Sequence, residues 1–342
     1  MIQWLESDRS EIKLSEGDML GKRIRTFNLP NDNCGIIRYE GNTYICKKGG
    51  GKNAEKEKCS DCEIKDKCKR IVMCPGATVI CNSRCYQNNT LTIEVRRCVY
   101  RNYMATLDNL FEKNMIDLLK KEIEEKGERF FRIHSLGEFY SYSYFEKWMR
   151  IVKKLENIKF CVYTKCFEYV HQYYKNGNEI PANLKIMLSI MPDSFYGTIH
   201  DKVDQNISRD KLIEKKKGRI QDFEQLVKET CADIYKVEYE SECKNILDKF
   251  QSQNIQDFYV TSCKLHEGKT CSECCLENEK EFGCYIVKDK TQIIIEPLRT
   301  TSGTANYKTD INRLKSYNIR VAELMNEKYC NKKNASNEKN KG

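Results

Sequence analysis

The sequence predicts an α/β protein whose strands lie mostly parallel. Short apolar runs of strand length alternate with longer segments whose apolar residues recur at helical spacing. The first three strand candidates follow one another at intervals of roughly 25 to 30 residues, which is the length of a β/α unit. This spacing suits a barrel and an open doubly wound sheet equally, and in both folds the active residues gather at the carboxyl ends of the strands.

The candidate elements are identified in chain order. A helix is predicted from Tyr103 to Lys126, and Gly127 ends it. The run RFFRIHSLGEFY then predicts a strand, and YSYFEKWMRIVKKLE predicts a helix. KFCVYTKC and FEYVHQYYKN repeat this pair. Two further strand candidates are LKIMLSIMP and, beyond a charged stretch from Lys211 to Lys249, DFYVTSC.

Composition indicates a globular protein with reduced thiols. With 342 residues, 40% of them hydrophobic, the chain can bury a core without disulfides. The first residues show no basic stretch followed by an apolar run, so we expect no secretory signal and a cytoplasmic location. No apolar run approaches the roughly 20 residues that span a bilayer, so we expect no membrane partner. The 19 cysteines include dense groups, which suggests metal ligation.

Composition also divides the chain into four segments. These are a cysteine-rich N-terminal extension (residues 1–70), a β/α core (71–260), a cysteine-rich C-terminal segment (261–330) and a polar tail (331–342) for which we expect disorder. The net charge is +9, from 59 basic and 50 acidic residues. Two interpretations of this charge stay open: a polyanionic partner such as nucleic acid, or a solvated lysine-rich surface.

The strongest chemical signal is CPGATVICNSRCY, in which Cys74, Cys81 and Cys85 have the spacing C-x6-C-x3-C. A [4Fe-4S] cluster usually takes four cysteines, so three leave one iron open to a substrate or cofactor. The alternative is a structural zinc ion, or a four-cysteine cluster completed by a thiol such as Cys68.

Five motifs occur in order between Phe27 and Lys165: FNLP, CPGA, the C-x3-CY ending, RIHSLGEFYSYSYFEKW and FCVYTK. Together they resemble the phage gene-product 88 family, with weaker support from Ser189 and from the cysteines after Val260. That family looks like a divergent branch of the radical S-adenosylmethionine (SAM) enzymes, in which a three-cysteine cluster precedes a partial (β/α) barrel. The spacing differs from the commonest radical-enzyme pattern, C-x3-C-x2-C, because both gaps are longer here.

The resemblance implies an α/β fold with a partial (β/α) barrel of parallel strands and cysteine-rich, metal-binding N-terminal and C-terminal extensions. It implies that Cys74, Cys81 and Cys85 hold a [4Fe-4S] cluster whose fourth iron binds SAM. Reduction by a donor such as ferredoxin or flavodoxin would then release a 5′-deoxyadenosyl radical. The substrate is unknown, and the basic charge makes nucleic acid or a nucleotide one hypothesis.

The resemblance also implies residues that bind SAM. Gly137 and Glu138 are similar to the motif that receives the amino group of the cofactor, and a carboxylate there would accept charge-assisted hydrogen bonds. His134 would share a strand face with residues 136 and 138, although a histidine in an apolar strand is more often a core residue. The remaining candidates are expected at strand ends: Thr164, Lys165 and Ser189.

Two outer cysteine groups are candidate metal sites. Each contains a C-x2-C pair, and the N-terminal one lies in a Gly- and Lys-rich stretch with little core of its own. Thiols alone do not decide between zinc and an auxiliary iron-sulfur cluster, and free surface cysteines are the alternative for the N-terminal group. The N-terminal group comprises Cys46, Cys59, Cys62 and Cys68. The C-terminal group comprises Cys263, Cys271, Cys274, Cys275 and Cys284, with His266 as a possible imidazole ligand. For Cys161, in a strand, core packing is expected.

Two functions of different classes follow. One is a radical SAM enzyme, favoured because a three-cysteine loop is followed by a strand that ends in Gly-Glu. The other is a zinc-stabilised nucleic-acid-binding or regulatory phage protein without catalysis. A metal-dependent nuclease ranks last, because the sequence offers no cluster of carboxylates for it.

Overall fold

The structure is a computed structural model. It describes residues 2–3, 12–16, 20–21, 24–46, 67–85, 93–201, 204, 206–230, 232–253, 258–263, 269–277, 284, 291–300, 303–304 and 307–339. The strands are β1 (Ile2–Gln3), β2 (Leu14–Ser15), β3 (Arg25–Phe27), β4 (Ile36–Tyr39), β5 (Asn42–Cys46), β6 (Lys69–Arg70), β7 (Phe130–Ile133), β8 (Lys159–Thr164), β9 (Leu184–Ile190), β10 (Asp233–Glu238), β11 (Phe258–Ser262), β12 (Thr291–Pro297), β13 (Arg299–Thr300) and β14 (Gly303–Thr304). The α-helices are α1 (Val79–Arg84), α2 (Ile93–Thr106), α3 (Phe111–Leu119), α4 (Tyr142–Lys153), α5 (Phe167–Lys175), α6 (Arg209–Thr230), α7 (Glu240–Gln253), α8 (Cys271–Glu277), α9 (Tyr307–Tyr317) and α10 (Ile319–Lys339).

The main sheet has eight strands in the order β2-β3-β7-β8-β9-β10-β12-β11. Neighbouring strands from β3 to β11 are parallel, and only β2 pairs antiparallel, with β3. The predicted α/β class with mostly parallel strands is therefore confirmed. No pairing joins β2 to β11 among the described strands, so this sheet does not close into a barrel. Because the strands from β3 to β10 stand in chain order without a reversal, the order is not that of a doubly wound sheet.

The core lies between one face of this sheet and its helices. Strand residues such as Phe131 and Phe160 pack there against Trp148 and Tyr144 from α4, and all four are buried. Helices α3, α4, α5 and α6 contact one another in sequence. Because β9 is covered on both faces, six of its seven residues are buried, which explains why its sequence is mostly apolar. The carboxyl ends of the parallel strands lie along one edge of the sheet, where functional side chains can gather.

A smaller sheet precedes the cysteine triplet. It has four antiparallel strands in the order β1-β5-β4-β6. Ile71, directly after β6, donates its backbone N–H to the carbonyl of Ile36 at 2.9 Å. The small sheet therefore leads the chain into the CPGA turn.

Several elements differ from the sequence predictions. The helix expected from Tyr103 to Lys126 is two helices, because Asp108 Oδ1 accepts the N–H of Leu110 at 2.7 Å and closes a turn between α2 and α3. The predicted strand at RFFRIHSLGEFY ends at Ile133. The main sheet also includes β3 and β12, which lie within the segments expected to be extensions.

The last helix extends into the polar tail, for which disorder stays a prediction. Helix α10 continues through Lys339, over most of the predicted tail 331–342. It begins with a buried stripe that includes Val321, Ala322 and Met325, and its packing supports helix formation before the polar residues begin. Among the described helices, none has the length and apolar character needed to cross a bilayer.

Candidate metal and cofactor site

The FNLP and HSLGEF motifs meet at the carboxyl edge of the main sheet. Leu29 donates its N–H to the carbonyl of Leu136 at 3.0 Å. Asn28 Oδ1 accepts the N–H groups of Ser135 and Leu136 at 3.0 and 2.9 Å. Gly137 has a φ of +85°, and a Cβ there would lie 2.6 Å from that of Leu29. Glycine is therefore required both by the conformation and by the close approach of the two loops.

Asp32 fixes the start of the cysteine loop. It follows FNLP in a short 3-10 turn and is buried. Its Oδ1 accepts the N–H groups of Met73 and Cys74 at 2.6 and 3.2 Å. Its Oδ2 lies 2.9 Å from Nε2 of His200, which is also 3.2 Å from the carbonyl of Cys74. The backbone of the first cysteine is thus held from two sides.

The CPGA turn lies directly on the end of β8. Ala77 donates its N–H to the carbonyl of Cys74 at 2.9 Å and closes the turn. A Cβ at Gly76 would lie 2.4 Å from the carbonyl oxygen of Lys165. Only a residue without a side chain allows this approach, so Gly76 sets the distance between the cysteine loop and the strand end.

Helix α1, which carries Cys81, is anchored by a buried carboxylate after β9. Thr78 caps the helix by accepting the N–H of Cys81 at 3.1 Å, and its hydroxyl donates to Asp193 Oδ1 at 2.6 Å. Asp193 Oδ2 accepts the N–H of Ile80 at 2.9 Å. Burial raises the pKa of Asp193 to about 6, although these hydrogen bonds favour its charged form. The cap therefore fixes Cys81 relative to the end of β9.

The three sulfurs of the triplet interact with one another. None is in a disulfide, and all three residues are partly exposed. Burial raises the pKa of Cys74 well above its ordinary value, and the charges of Asp32 and Glu138, followed by the other two sulfurs, raise it further. Burial likewise raises the pKa of Cys81. The third sulfur, of Cys85, accepts a hydrogen bond from the side-chain amide of Asn31 at 3.3 Å.

Lys165 places a positive charge beside the sulfurs. Burial lowers its pKa, but the charges of Cys81, Glu138 and the other two sulfurs raise it by more, so its pKa lies above the ordinary value. In return, the Lys165 ammonium lowers the pKa of Cys81 and offsets part of the effect of burial. The ammonium can therefore compensate thiolate charge at this edge.

Glu138 joins the ends of β7 and β8. Its Oε1 accepts the hydroxyl of Thr164 and the N–H of Phe139, both at 2.9 Å. Its Oε2 accepts the N–H of Lys165 at 2.8 Å. Burial raises the pKa of Glu138. A carboxylate has about four acceptor positions, so these three bonds leave room for one further donor at Oε2.

The other predicted cofactor residues differ in their surroundings. Thr164 is bonded to Glu138 at the site edge, and Ser189 is buried one residue before the end of β9. His134 has a φ of +57° and lies in the aromatic core, with Nε2 2.8 Å from the Tyr144 hydroxyl. The expected strand face shared by residues 134, 136 and 138 does not form, because β7 ends at Ile133. A cofactor role for His134 stays a prediction.

The outer cysteine groups are described in part. In the N-terminal group, Cys46 ends β5 and Cys68 precedes β6, while Cys59 and Cys62 lie outside the described residues. In the C-terminal group, Cys263 follows β11, Cys271 and Cys274 lie in α8, and Cys284 stands alone between undescribed stretches. The side chain of Cys275 and all of His266 also lie outside the described residues.

Within the described part of the chain, no three His, Cys, Asp or Glu side chains are arranged to hold a metal ion. A zinc site needs four sulfurs about 3.8 Å apart, with bonds of about 2.3 Å to one ion. The cysteines of a [4Fe-4S] cluster each bind a different iron and therefore lie further apart. The chemistry of the donor set at the edge, three sulfurs beside the Lys165 ammonium, suits thiolate ligands of iron.

Comparisons with known proteins place the chain in a family. The sequence profile described as Gene product 88 matches residues 37–222, and the chain belongs to this family. It is similar to the Gene 88 protein of Mycobacterium phage D29, with 26% identity over 130 residues. That alignment covers 35% of this chain and 53% of the phage protein, so the chain spans about half the length of this curated relative. No solved structure matches. The predicted resemblance to the gene-product 88 family is thus confirmed.

Sequence reasoning missed Asp32, Asp193 and His200. Asp32 follows FNLP within two residues, and Asp193 follows the LSIMP run, so both stand directly after predicted or observed strand ends. That position was the available signal for Asp32 and Asp193. No sequence signal marked His200, because it contacts Asp32 across 168 residues of chain.

Proposed function

We propose that Cys74, Cys81 and Cys85 bind a [4Fe-4S] cluster and that the protein is a radical SAM enzyme. One observation carries this proposal: the three sulfurs lie beside Lys165 and Glu138 at the carboxyl edge of a parallel sheet. Three cysteines leave one iron for a further ligand. When bound, the cluster and SAM supply one-electron cleavage of the cofactor to methionine and a 5′-deoxyadenosyl radical.

The surroundings of the sulfurs support a cluster with thiolate ligands. The Lys165 ammonium offsets their negative charge, and hydrogen bonds to cluster sulfurs tune the reduction potential. Because burial raises the pKa of Cys74 and of Cys81, their thiols hold protons at neutral pH. Metal binding must displace these protons, so we expect cluster assembly to be faster as pH rises.

The residues of the strand ends have separate tasks in this proposal. Glu138 would accept a hydrogen bond from the ammonium group of SAM at the remaining acceptor position of Oε2. Asp32 and Asp193 would hold the two ends of the cysteine loop rigid, because each accepts two hydrogen bonds from it. Gly76 allows the loop to lie against β8.

The strand order supports the partial (β/α) barrel that we expect with this function. Strands β3, β7, β8, β9 and β10 follow one another in space as in sequence, and consecutive right-handed crossovers of this kind place their helices on one face. That is the winding of a (β/α) barrel, so we propose a partial barrel that stays open between β2 and β11. The net charge of +9 favours a polyanionic substrate, nucleic acid or a nucleotide.

Metal analysis and EPR of anaerobically purified protein test the proposal. We expect about four iron and four sulfide per cluster bound to the triplet. The reduced protein should give a [4Fe-4S] signal that changes when SAM is added. A Cys74→Ala/Cys81→Ala/Cys85→Ala variant should lose this signal and its SAM response.

Cys166→Ala is the matched control. Cys166 is buried next to the site, and its thiol donates to the carbonyl of Phe139 at 3.3 Å, but it is not a proposed ligand. This variant should keep the SAM-responsive signal. Zinc alone, with no cluster after anaerobic reconstitution, would contradict the radical-enzyme proposal and favour the zinc-stabilised, non-catalytic alternative.

A further inference from the structure

Exposed basic side chains of the small sheet lie beside the cysteine edge. Arg38 in β4 is directly opposite Lys69 in β6, so the two side chains are neighbours on one face of the small sheet. Both residues are exposed. Arg70, the next residue, is also exposed, and its Nη2 donates to the carbonyl of Asp32 at 2.5 Å. Because the side chain of Asp32 holds the N–H of Cys74, the positive charge of this sheet extends to the start of the cysteine loop.

Helix α2 brings three arginines to the same region. The Tyr100 hydroxyl donates to the carbonyl of Cys34 at 2.5 Å, which fixes the helix against the 3-10 turn before β4. Arg96 precedes Tyr100 by about one helical turn. Burial raises the pKa of the Cys34 thiol to about 11, and the charge of Arg96 opposes this increase, so Arg96 lies near the same turn. Arg97 and Arg101 follow at a spacing of four residues, and all three arginines are exposed.

The charges of the small sheet and of α2 lie on neighbouring elements. Burial raises the pKa of Tyr103 in α2, and the positive charge of Arg38 in β4 lowers it. Arg38 is therefore close to the helix that carries the arginines. We call the following residues the basic surface: Arg38, Lys69, Arg70, Arg96, Arg97 and Arg101.

The basic surface has little negative charge to balance it. The strands of the small sheet contain no acidic residue, and α2 contains one, Glu94. Glu40, in the turn between β4 and β5, hydrogen-bonds to Tyr39. Among the carboxylates that the structure describes, none forms an ion pair with the basic surface. An exposed arginine elsewhere does form one, as Arg150 does with Glu112 at 2.7 Å. The positive charge of this surface is thus available to an external anion.

We propose that the basic surface binds the phosphate backbone of a nucleic-acid strand and guides it to the cysteine edge. The basic residues belong to three elements, β4, β6 and α2, and a strand with several phosphates can contact them together, whereas one nucleotide cannot. Arg70 contacts Asp32, so a strand on this surface passes next to Cys74. This inference deepens the proposed function and rests on it for the chemistry at the triplet. The binding of phosphates requires neither the cluster nor SAM.

Fluorescence anisotropy tests the basic surface with labelled oligonucleotides of about 20 nucleotides. The probes are single-stranded DNA, RNA of the same sequence and the DNA duplex, which share the phosphate chemistry and differ in form. An Arg96→Gln/Arg97→Gln/Arg101→Gln variant should bind the single strands about tenfold more weakly than wild type at physiological ionic strength. The slope of log affinity against log salt should fall by about 2, because each contact with a single strand contributes about 0.7.

The matched control removes the same charge from another exposed helix face. Lys211→Gln/Lys215→Gln/Lys217→Gln changes three exposed lysines of α6, a helix that also carries acidic residues, and should bind the probes as wild type does. Both triple variants should unfold at the urea concentration of wild type, because all the replaced side chains are exposed. Equal weakening in both variants would attribute binding to net charge and overturn the proposal. Failure of wild type to bind any probe would also overturn it and leave an acidic protein as the partner of this surface.

Photochemical cross-linking locates the strand on the wild-type protein without any substitution. DNA that contains 4-thiothymine is cross-linked to the full chain, and the modified peptides are identified by mass spectrometry. We expect cross-links within residues 67–74 and 93–106, and cross-links confined to other segments would overturn the proposal. The proposed function fails separately: SAM cleavage without nucleic-acid binding would reject the basic surface alone, and nucleic-acid binding by protein that assembles no cluster would reject the radical enzyme alone.

Discussion

The side-chain amide of Asn31 donates a hydrogen bond to the sulfur of Cys85, with Nδ2 3.3 Å from Sγ. The oxygen of the same amide accepts from the thiol of Cys34 at 3.2 Å, which fixes its orientation. Asn31 directly follows the FNLP motif, so this bond connects the end of β3 with the last cysteine of the triplet. It also places an N–H donor on a sulfur that we propose to bind a cluster.

Replacement of Asn31 by Ala should lower the reduction potential of the cluster. An N–H donor stabilises the more negative, reduced state, and a difference of about 1 kcal/mol corresponds to about 40 mV for one electron. Redox titration followed by EPR measures the change. Asn176→Ala, at an exposed asparagine bonded to Tyr142, serves as the control and should leave the potential unchanged. Equal potentials in wild type and Asn31→Ala would contradict a role for this bond.

Gly76→Ala should weaken both the fold and cluster retention. The new Cβ would start 2.4 Å from the Lys165 carbonyl oxygen, so the loop must move, at a cost of about 2 kcal/mol. Urea unfolding and the rate of iron loss to a chelator measure the two effects. The matched change is Gly218→Ala in α6, where the new Cβ would point into open space. That variant should be as stable as wild type or more stable by up to about 1 kcal/mol. Wild-type iron retention by Gly76→Ala would refute this account of the CPGA turn.

Asp310→Asn should destabilise the protein through helix α1. Arg84, the last residue of α1, pairs with Asp310 at 2.8 Å, and both side chains are buried. Tyr239 also donates to Asp310, at 3.0 Å. Loss of the carboxylate charge would leave the guanidinium buried without compensation, at a cost of about 3 kcal/mol in unfolding free energy.

The exposed pair of Arg209 and Glu327, with N–O distances of 2.6 Å, provides the comparison for Asp310→Asn. Glu327→Gln should change stability little, because solvent screens this pair. Chemical denaturation of the two variants under the same conditions measures the difference. If both variants unfold at the same denaturant concentration as wild type, the Arg84 pair does not support the cysteine loop.

The stability of the protein should fall below pH 6.5 because His134 is buried as the neutral base. Burial lowers its pKa from 6.5 to about 3, so the unfolded chain binds a proton that the folded chain does not. This contribution is complete above pH 6.5 and is lost as pH falls toward 3. At pH 5 the loss amounts to about 2 kcal/mol. His134→Gln cannot titrate, so between pH 7 and 5 it should lose about 2 kcal/mol less than wild type in urea unfolding. Identical losses would contradict the assignment.

The apolar strands could be predicted from sequence, because a local pattern of apolar residues determines them. Strand β9 is mostly apolar and was predicted, whereas β10 was not recognised within a charged stretch. The two buried acids of β10 find partners far along the chain: Asp233 pairs with Lys185, and Glu238 accepts the Tyr329 hydroxyl at 2.7 Å. Polar residues that are paired in the fold look like a solvated surface in the sequence.

The candidate site shows the same contrast between local motifs and contacts made far along the chain. The three cysteines and Glu138, which stay predicted site residues, stand in short motifs that are visible in the local sequence. The groups that hold them are remote: Asp193 reaches Thr78 across 115 residues and Arg84 reaches Asp310 across 226. Cys161 was expected to pack in the core, and it does, but its hydrogen bond to Cys284 depends on how the C-terminal segment covers the sheet. Such pairs are set by topology, which single-sequence patterns do not encode.

Reductive cleavage of SAM tests the central claim most directly. Anaerobically reconstituted protein is mixed with SAM and dithionite, and 5′-deoxyadenosine and methionine are quantified by chromatography and mass spectrometry. We predict that both products form with the wild type and with Cys166→Ala, and that neither forms with Cys81→Ala. No 5′-deoxyadenosine above the protein-free control, from wild-type protein that holds its cluster, would contradict the radical SAM function.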